Sequence, residues 1–295
     1  TPKLGLDQLY PNSQVNGGSI IPILIAVLMY VVMNKTTLGY ELKACGSNRH
    51  AARYAGINDK RNIILSMAIA GGLSGAGAAL YYLAGNTEFF WSTYTSLPAT
   101  GFNGIPVALL AANNPIGVVF TGIFMSMLDI AGLQLTSLTA YNEYITDVII
   151  AVIVYLSAFS LVIKMLISGR KKKKHAAAAD AAASGSAPAE AATSAGDDGA
   201  AEELMIVALA GVFAERSGII NLALEGIMIF GAFVGVLFVN IVQQTDVFMS
   251  AYEAGNWVTL QGLELLAMLA AAVMGAIFSL LLSFASINLK ADQTI

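Results

Sequence analysis

Long apolar runs alternate with short polar segments through the first half of the chain. Four of these runs approach the roughly 20 residues that a helix needs to cross the hydrocarbon core of a membrane. They cover Ser19–Met33, Ile63–Ala84, Ile116–Leu135 and Ile145–Ile167. The pattern predicts an all-α integral membrane protein, built as a polytopic bundle of helices.

One further apolar segment, Leu97–Asn113, is short and interrupted by proline and glycine. Such a segment does not suit a helix that faces lipid, but a discontinuous helix can lie buried among its neighbours. Polar groups inside a membrane are costly and usually functional. Asn103, within the broken segment, is therefore a candidate for lining a translocation path.

The distribution of basic residues predicts which side of the membrane each loop faces. Residues 35–61 and Arg170–Lys174 are rich in lysine and arginine, whereas residues 62–163 contain neither. Basic loops favour the cytoplasmic side. An even number of crossings must separate the two basic regions, so the broken segment is expected to traverse as well. This gives about five crossings in residues 1–168, with the first end outside.

The composition changes abruptly in residues 169–199, which are basic and then consist mainly of Ala, Ser, Gly and acids. A segment without aromatic residues cannot bury enough apolar surface to fold alone, so a disordered cytoplasmic linker is predicted. Over the whole chain 57% of residues are apolar and 12% charged, with a mean hydropathy of +0.70. A soluble domain carries about a quarter charged residues, so the composition agrees with a membrane protein.

A second membrane unit is predicted in residues 200–295. The run Leu204–Phe213 is too short to span alone, and polar residues interrupt it, whereas Ile227–Val242 and Leu260–Ile287 are long enough. The loop 243–257 between the two long runs has acids and no basic residue, and Lys290 follows the last run. We therefore expect two full spans plus a broken or re-entrant segment, with the loop outside and both ends of the unit inside.

The polar stretch 38–62 lies between two strongly apolar runs. One interpretation is a solvated connection. The other is a rigid docking helix, because small residues recur at helical spacing and Arg49 and Arg53, four positions apart, share a face.

The sequence LGYELKACGSNRHAARYAGI in this stretch resembles the cytoplasmic coupling segment of permease subunits of bacterial ABC importers for ribose, branched-chain amino acids and nucleosides. The likeness continues through Gly71–Leu80 and Gly101–Gly117, and corresponds to the C-terminal half of such a permease. It implies that the segment docks into a groove on an ATPase subunit. The residues predicted for this contact are those that match the family segment, together with Arg49, which shares a helix face with Arg53: Gly46, Asn48, Arg49, Ala51, Ala52, Arg53 and Gly56.

The segment Glu215–Gly235 is similar to the N-terminal signature of the companion permease in the nucleoside branch of that family. The chain thus resembles the back half of one permease joined to the front part of its partner, cut at both ends. The resemblance implies a multi-pass protein of the bacterial plasma membrane. It would pass nucleosides from an extracellular, lipid-anchored binding protein inward by alternating access, together with a companion permease and ATPase subunits. A sugar or branched-chain amino acid permease, or a truncated fragment without transport activity, remain alternatives.

An enzymatic function is not predicted. The sequence GLSG at Gly72–Gly75 is reminiscent of an intramembrane serine protease, but a serine nucleophile needs a histidine base within reach. The only two histidines are His50 and His175, both in polar segments. The chain also lacks the GxxxxGK[ST] loop that binds ATP phosphates. We expect ATP on the partner subunit, no cofactor or metal on this chain, no nucleic acid, and contacts with membrane lipids.

Six polar residues within or beside apolar runs are candidates for lining or gating the path. Asp129 could instead make a structural polar contact, and Glu215 and Arg216 could lie at the membrane interface. Glu225 follows Asn221 by about one helical turn, so both could face one cavity. The six candidates are Asn103, Asp129, Glu215, Arg216, Asn221 and Glu225.

Overall fold

A computed structural model describes residues 19–83, 100–138, 148–153, 155–156, 200–218 and 224–288. The predicted linker 169–199, most of the fourth apolar run and Asn221 lie outside the described residues. All regular elements within the described residues are helices. They are α1 (Ile20–Lys35), α2 (Thr37–Ser47), α3 (Arg49–Tyr54), α4 (Asp59–Leu83), α5 (Thr100–Leu110), α6 (Pro115–Leu138), α7 (Ala200–Arg216), α8 (Leu224–Gln243), α9 (Asp246–Glu253) and α10 (Trp257–Asn288). The predicted all-α class is confirmed.

In the described part, four helices are long and apolar enough to cross a membrane: α4, α8, most of α10, and the first 18 residues of α6. Helices α1 and α2 would add a fifth crossing if counted as one bent span, since they meet at 73°. The broken segment contains α5, which is only 11 residues long and has Pro106 inside it. The segment is short, as expected, but Gly101, Gly104 and Pro106 lie within one continuous helix, and the chain turns only after it, at Ala112 and Asn113 with positive φ.

The polar stretch forms two short helices, α2 and α3, because its capping residues break the chain twice. Thr36 is extended, and its hydroxyl accepts a hydrogen bond from Gly39 N at 3.3 Å, which starts α2. Asn48 is also extended, and its Oδ1 accepts from Ala51 N at 3.0 Å, which starts α3. Satisfying a free N–H of the first turn in this way favours a new helix start. The stretch is thus a bent pair of helices.

Small residues let the backbones of α4, α8 and α10 approach closely. A Cβ added at Gly75 would lie 2.5 Å from Ala271 O, and one added at Gly231 would lie 2.5 Å from Gly75 Cα. Both distances are shorter than Cβ atoms tolerate, so glycine is required. Close packing of this type is how helices associate in a membrane, where apolar burial against lipid gives little gain.

Contacts along α7 fix its direction relative to α4. The start of α7 lies near the far end of α4, because Glu203 shares a crevice with Tyr81 and Tyr82. The end of α7 lies beside the polar stretch, because Gly46 packs against the backbone of Arg216. Helix α7 therefore returns toward the polar stretch, whereas α4 leaves it.

This direction differs from the expectation that both ends of the second unit lie on the side of the basic loops. The first turn of α7 lies at the opposite end of the bundle. The helix that contains the predicted short run Leu204–Phe213 is also longer than the run itself. Helix α7 has 17 residues and so measures about 25 Å. Every residue from Glu202 to Ala214 is buried, so α7 forms the centre of the bundle.

Candidate functional site

The polar stretch is held to the start of α4 by a shared carboxylate. Asp59 Oδ2 accepts hydrogen bonds from Arg49 Nε at 3.0 Å and from Arg53 Nη2 at 2.6 Å. The Asp59 side chain is only 7% exposed, while both arginines are about half exposed. The hydrogen bond to Asp59 raises the pKa of Arg53. Both guanidinium groups thus brace α3 against the first membrane helix that follows it, and the face shared by the two arginines points at this carboxylate.

Two of the small residues predicted to form a docking face point into the protein instead. A Cβ on Gly46 would collide with the carbonyl of Arg216, so this glycine lets α2 meet the end of α7. Ala52 is 4% exposed. Gly56 has a φ of +83° and open space around it, so the turn after α3 accounts for this glycine. Internal packing and backbone geometry explain three of the predicted positions.

The outer surface of α3 is polar and aromatic. The side chain of Tyr54 is 95% exposed. The remaining predicted contact residues, Asn48, Arg49, Ala51 and Arg53, are exposed around it. A contact between these residues and an ATPase subunit stays a prediction.

Arg216 lies at the end of the bundle near the polar stretch. Its Nε and Nη2 donate to Asn113 O at 3.1 and 3.0 Å, and Nη2 also donates to Ala112 O at 3.3 Å. These carbonyls follow the C-terminus of α5, where a cation is favourable. Burial, and then repulsion from Arg216, lower the pKa of Lys43 on α2. This geometry fits the interfacial alternative for Arg216.

Glu225 lies toward the other end of the bundle and lines a narrow crevice between α4, α7 and α8. Glu203 of α7 and the two tyrosines Tyr81 and Tyr82 line the same crevice. Glu203 is 2% exposed and Glu225 is 8% exposed. The two tyrosine rings stand edge to face with centroids 5.3 Å apart.

The sequence interpretation missed Glu203. It placed the start of the apolar run at Leu204, so the preceding acids were left outside that run. The sequence feature that could have revealed Glu203 is the helix-favouring stretch from Ala200, which continues into the apolar run. Glu203 belongs to the first turn of α7 and is buried in the bundle.

The other candidates among the described residues, Asn103, Asp129, Glu215 and Arg216, do not line this crevice. Asn103 is half-buried on α5, two residues after Gly101, whose backbone lies directly against the Glu225 side chain. Asp129 is half-buried on α6. Glu215 directly precedes Arg216 in the last turn of α7, and so lies with it at the opposite end. In the structure, Glu225 therefore lies near Glu203, and Glu215 lies near Arg216 at the other end of the bundle.

Comparison with known families identifies the type of protein. The model of a family described as "Branched-chain amino acid transport system / permease component" matches residues 4–158 and 201–295. The chain belongs to this permease family. With its long apolar helices, this permease is a multi-pass protein of the plasma membrane.

Three curated relatives illustrate the range of similar permeases. The nucleoside ABC transporter permease protein NupB of Lactococcus lactis is 39% identical over 162 residues, which are 55% of this chain and 44% of that protein. The guanosine ABC transporter permease protein NupP of Bacillus subtilis is 35% identical over 163 residues, covering 55% and 46%. The glucose ABC transporter permease protein TsgB13 of Haloferax volcanii is 34% identical over 120 residues, covering 41% and 31%.

The permease chain spans a little under half the length of the first two of these relatives. No solved structure matches it.

Proposed function

We propose that this permease chain forms part of the membrane pathway of an ATP-driven ABC importer for nucleosides. The observation that carries the proposal is its similarity to two permeases whose names specify nucleoside and guanosine transport. Partner ATPase subunits would bind and hydrolyse ATP, an extracellular lipid-anchored protein would deliver the substrate, and a companion permease would complete the pathway.

The contacts of the polar stretch support a mechanical role. Helix α3 is braced by two arginines against Asp59 at the start of α4, while α2 touches the end of α7 through Gly46. A push on the exposed surface of α3 would therefore reach both a membrane helix and the buried centre of the bundle. Tightly packed contacts of this kind can pass a small displacement on to the helices that line a pathway.

Uptake of radiolabelled adenosine and guanosine tests the proposal, in cells that express the whole transporter and no other nucleoside importer. Tyr54→Asp should reduce uptake about tenfold, because a charge replaces an exposed aromatic anchor at the proposed ATPase contact. Tyr252→Asp is the matched control, since Tyr252 is a 65% exposed tyrosine on the short helix α9, which lies in the loop predicted to be extracellular.

Membrane levels of both variants are compared by immunoblot. If the Tyr54→Asp variant takes up nucleosides as fast as the wild type, the proposed docking role of α3 is wrong. A transporter that moves no nucleoside would overturn the substrate assignment and with it the proposed function.

A sugar is the second candidate substrate, favoured by the similarity to a glucose permease. Competition by unlabelled glucose, ribose and leucine in the same uptake assay separates sugars, and branched-chain amino acids, from nucleosides.

A further inference from the structure

We propose that Arg216 is a positioning residue for transport: its side chain holds the turn between α5 and α6, and its backbone receives displacements of α2, which it passes on to α5. The α5–α6 turn comprises residues 111–114, which lie between the two helices. This inference rests on the proposed function and concerns a residue outside the predicted ATPase contact.

The α5–α6 turn has an unusual backbone for its sequence. Ala112 N–H donates to Leu109 O at 2.8 Å. Asn113 N–H donates to Ala108 O at 2.9 Å, which completes the pair of bonds that ends a helix in a Schellman motif. The left-handed residue of this motif is usually glycine, whereas here Ala112 has a φ of +51° and Asn113 one of +54°. Since a left-handed alanine is strained, contacts from outside the turn must stabilise it.

The side chain of Arg216 supplies such contacts. It donates three hydrogen bonds of 3.0 to 3.3 Å to the carbonyls of Ala112 and Asn113. A guanidinium group can bind two neighbouring carbonyls at once, because its N–H groups are fixed in one plane. Hydrogen bonds from a charged donor are also stronger than neutral ones. Arg216 therefore offsets the strain of the turn by binding the carbonyls of its two left-handed residues.

The backbone of the same arginine lies against α2. A Cβ added at Gly46 of α2 would collide with Arg216 O. A Cβ added at Gly218, two residues after Arg216, would lie 3.1 Å from Gly46 Cα. Backbone thus meets backbone here, and no side chain lies between the two segments to absorb a movement. A displacement of α2 toward α7 therefore moves Arg216, whose side chain holds the α5–α6 turn.

Helices α5 and α7 lie side by side up to this point. A Cβ added at Gly104 would lie 2.8 Å from Val207 Cγ1, and one added at Gly211 would lie 3.5 Å from Ala108 Cβ. The two helices run in the same direction, because the positions in contact increase together along both of them. Small residues allow this close approach. The hydrogen bonds of Arg216 add a fixed point at the end of the pair.

The other end of α5 meets the first turn of α8. A Cβ added at Gly101 would collide with the Glu225 side chain. Helix α5 thus joins the turn that Arg216 holds to the middle of the bundle. A displacement of α2 that reaches the turn through Arg216 would shift α5 against both α7 and α8, which is the step that this inference adds to the proposed function.

Hydrogen–deuterium exchange in the purified permease chain tests whether Arg216 holds the turn. The amide hydrogens of Ala112 and Asn113 are followed by mass spectrometry of the peptide that contains them. Arg216→Gln should speed their exchange about tenfold, because the turn loses hydrogen bonds to a charged group. Arg61→Gln is the matched control, since Arg61 is an exposed arginine in the first turn of α4. It should leave the exchange rate within about twofold of the wild type.

A glycine at position 112 separates the shape of the turn from its link to α7. Glycine adopts a positive φ without strain, and the Ala112 side chain is exposed, so little packing is lost. The double variant Arg216→Gln, Ala112→Gly should therefore return the exchange rate to within about twofold of the wild type. The link between the turn and α7 is still missing in this variant.

Coupling is measured in the whole transporter in lipid vesicles, as adenosine taken up per ATP hydrolysed. Arg216→Gln should lower this ratio about tenfold, and the double variant should stay equally low. Arg216→Lys, which can donate to the same carbonyls from one ammonium group, should recover the ratio to within about threefold of the wild type. Arg61→Gln should keep the wild-type ratio.

Three results would overturn the inference. Unchanged exchange in Arg216→Gln would show that Arg216 does not hold the turn. An unchanged uptake ratio in that variant would remove its role in coupling and leave the proposed function intact. Recovery of both exchange and the uptake ratio in the double variant would show that Arg216 sets the shape of the turn and passes no movement on.

Failure of the proposed function gives a different result. A wild-type transporter that hydrolyses ATP but imports no nucleoside would defeat the proposed function, and the coupling role of Arg216 would fall with it. The exchange measurement would then still decide whether Arg216 holds the turn, because it needs neither ATP nor a substrate.

Discussion

Helices α7 and α10 show that apolar character and burial are different properties in this permease. Helix α7 has 17 residues, and its side chains from Glu202 to Ala214 are all buried. Helix α10 has 32 residues, and only 22% of its most apolar window is buried. The longest apolar helix therefore lies at the edge of the described bundle, and a short helix with two acids forms its centre.

The difference follows from the solvent. Lipid tails are as apolar as leucine, so α10 gains little by burying its large side chains. It contacts α4 through a stripe of small residues at intervals of four, and leaves residues such as Leu281, 63% exposed, facing outward. The small residues of the stripe are Ala267, Ala271, Gly275, Ser279 and Ser283. Helix α7, in contrast, is packed on all sides by large and small side chains.

The largest expected effect comes from filling the stripe on α10. A side chain at Gly275 would overlap Gly71 O and lie 3.1 Å from Gly71 C, both rigid backbone atoms. We expect Gly275→Leu to cost about 3 kcal/mol or more through forced separation of α4 and α10. Thermal unfolding in detergent, followed by fluorescence-detected gel filtration, measures the change.

Gly262→Leu is the control on the same helix, because nothing lies within 4 Å of its added Cβ. It should be neutral or slightly stabilising, since leucine favours helix more than glycine does. Equal destabilisation by both substitutions would show that the stripe does not hold α10 in place.

A smaller effect is expected from a cavity in the centre of α7. Leu209 is fully buried, whereas Leu281 of α10 is 63% exposed. Leu209→Ala should destabilise the fold by about 2 to 4 kcal/mol, because its neighbours can collapse only partly into the space. Leu281→Ala should change the stability by less than about 0.5 kcal/mol.

The same unfolding assay distinguishes the two leucine variants. If Leu281→Ala were as harmful as Leu209→Ala, α10 would be covered by a partner and would not face lipid.

Much of the fold could be predicted because long apolar runs in the sequence are typical of membrane helices. The apolar runs predicted the helices α4, α6, α8 and α10, and the short length of the segment that contains α5 was also predicted, although Pro106 does not break that helix. The length of helix α7 was underestimated, because Glu202 and Glu203 resemble the polar residues that flank a membrane helix. Only the tertiary packing shows that these side chains are inside.

The candidate site was harder to predict, because sequence spacing does not tell which partner a residue meets. Gly46 and Ala52 fit a small docking face by pattern, yet they face the protein. Arg216 was predicted either to line the path or to lie at the membrane interface, and its guanidinium group reaches the carbonyls after α5. Residues 103 positions apart in sequence form this contact, and no local rule predicts it.

The smallest effect concerns the polar contact within the α4–α10 stripe. Ser279 Oγ donates to Met67 O across the two helices, and Ser66 Oγ donates to Ile63 O within α4. Both serines are fully buried. Hydrogen bonds between membrane helices contribute about 0.6 kcal/mol on average, so Ser279→Ala should lower the free energy of unfolding by about that amount.

Ser66→Ala is the control and should change the free energy of unfolding less, because its hydrogen bond does not join two helices. A loss above about 2 kcal/mol for Ser279→Ala would mean that a hydrogen bond, and not close packing of small residues, holds α10 to α4.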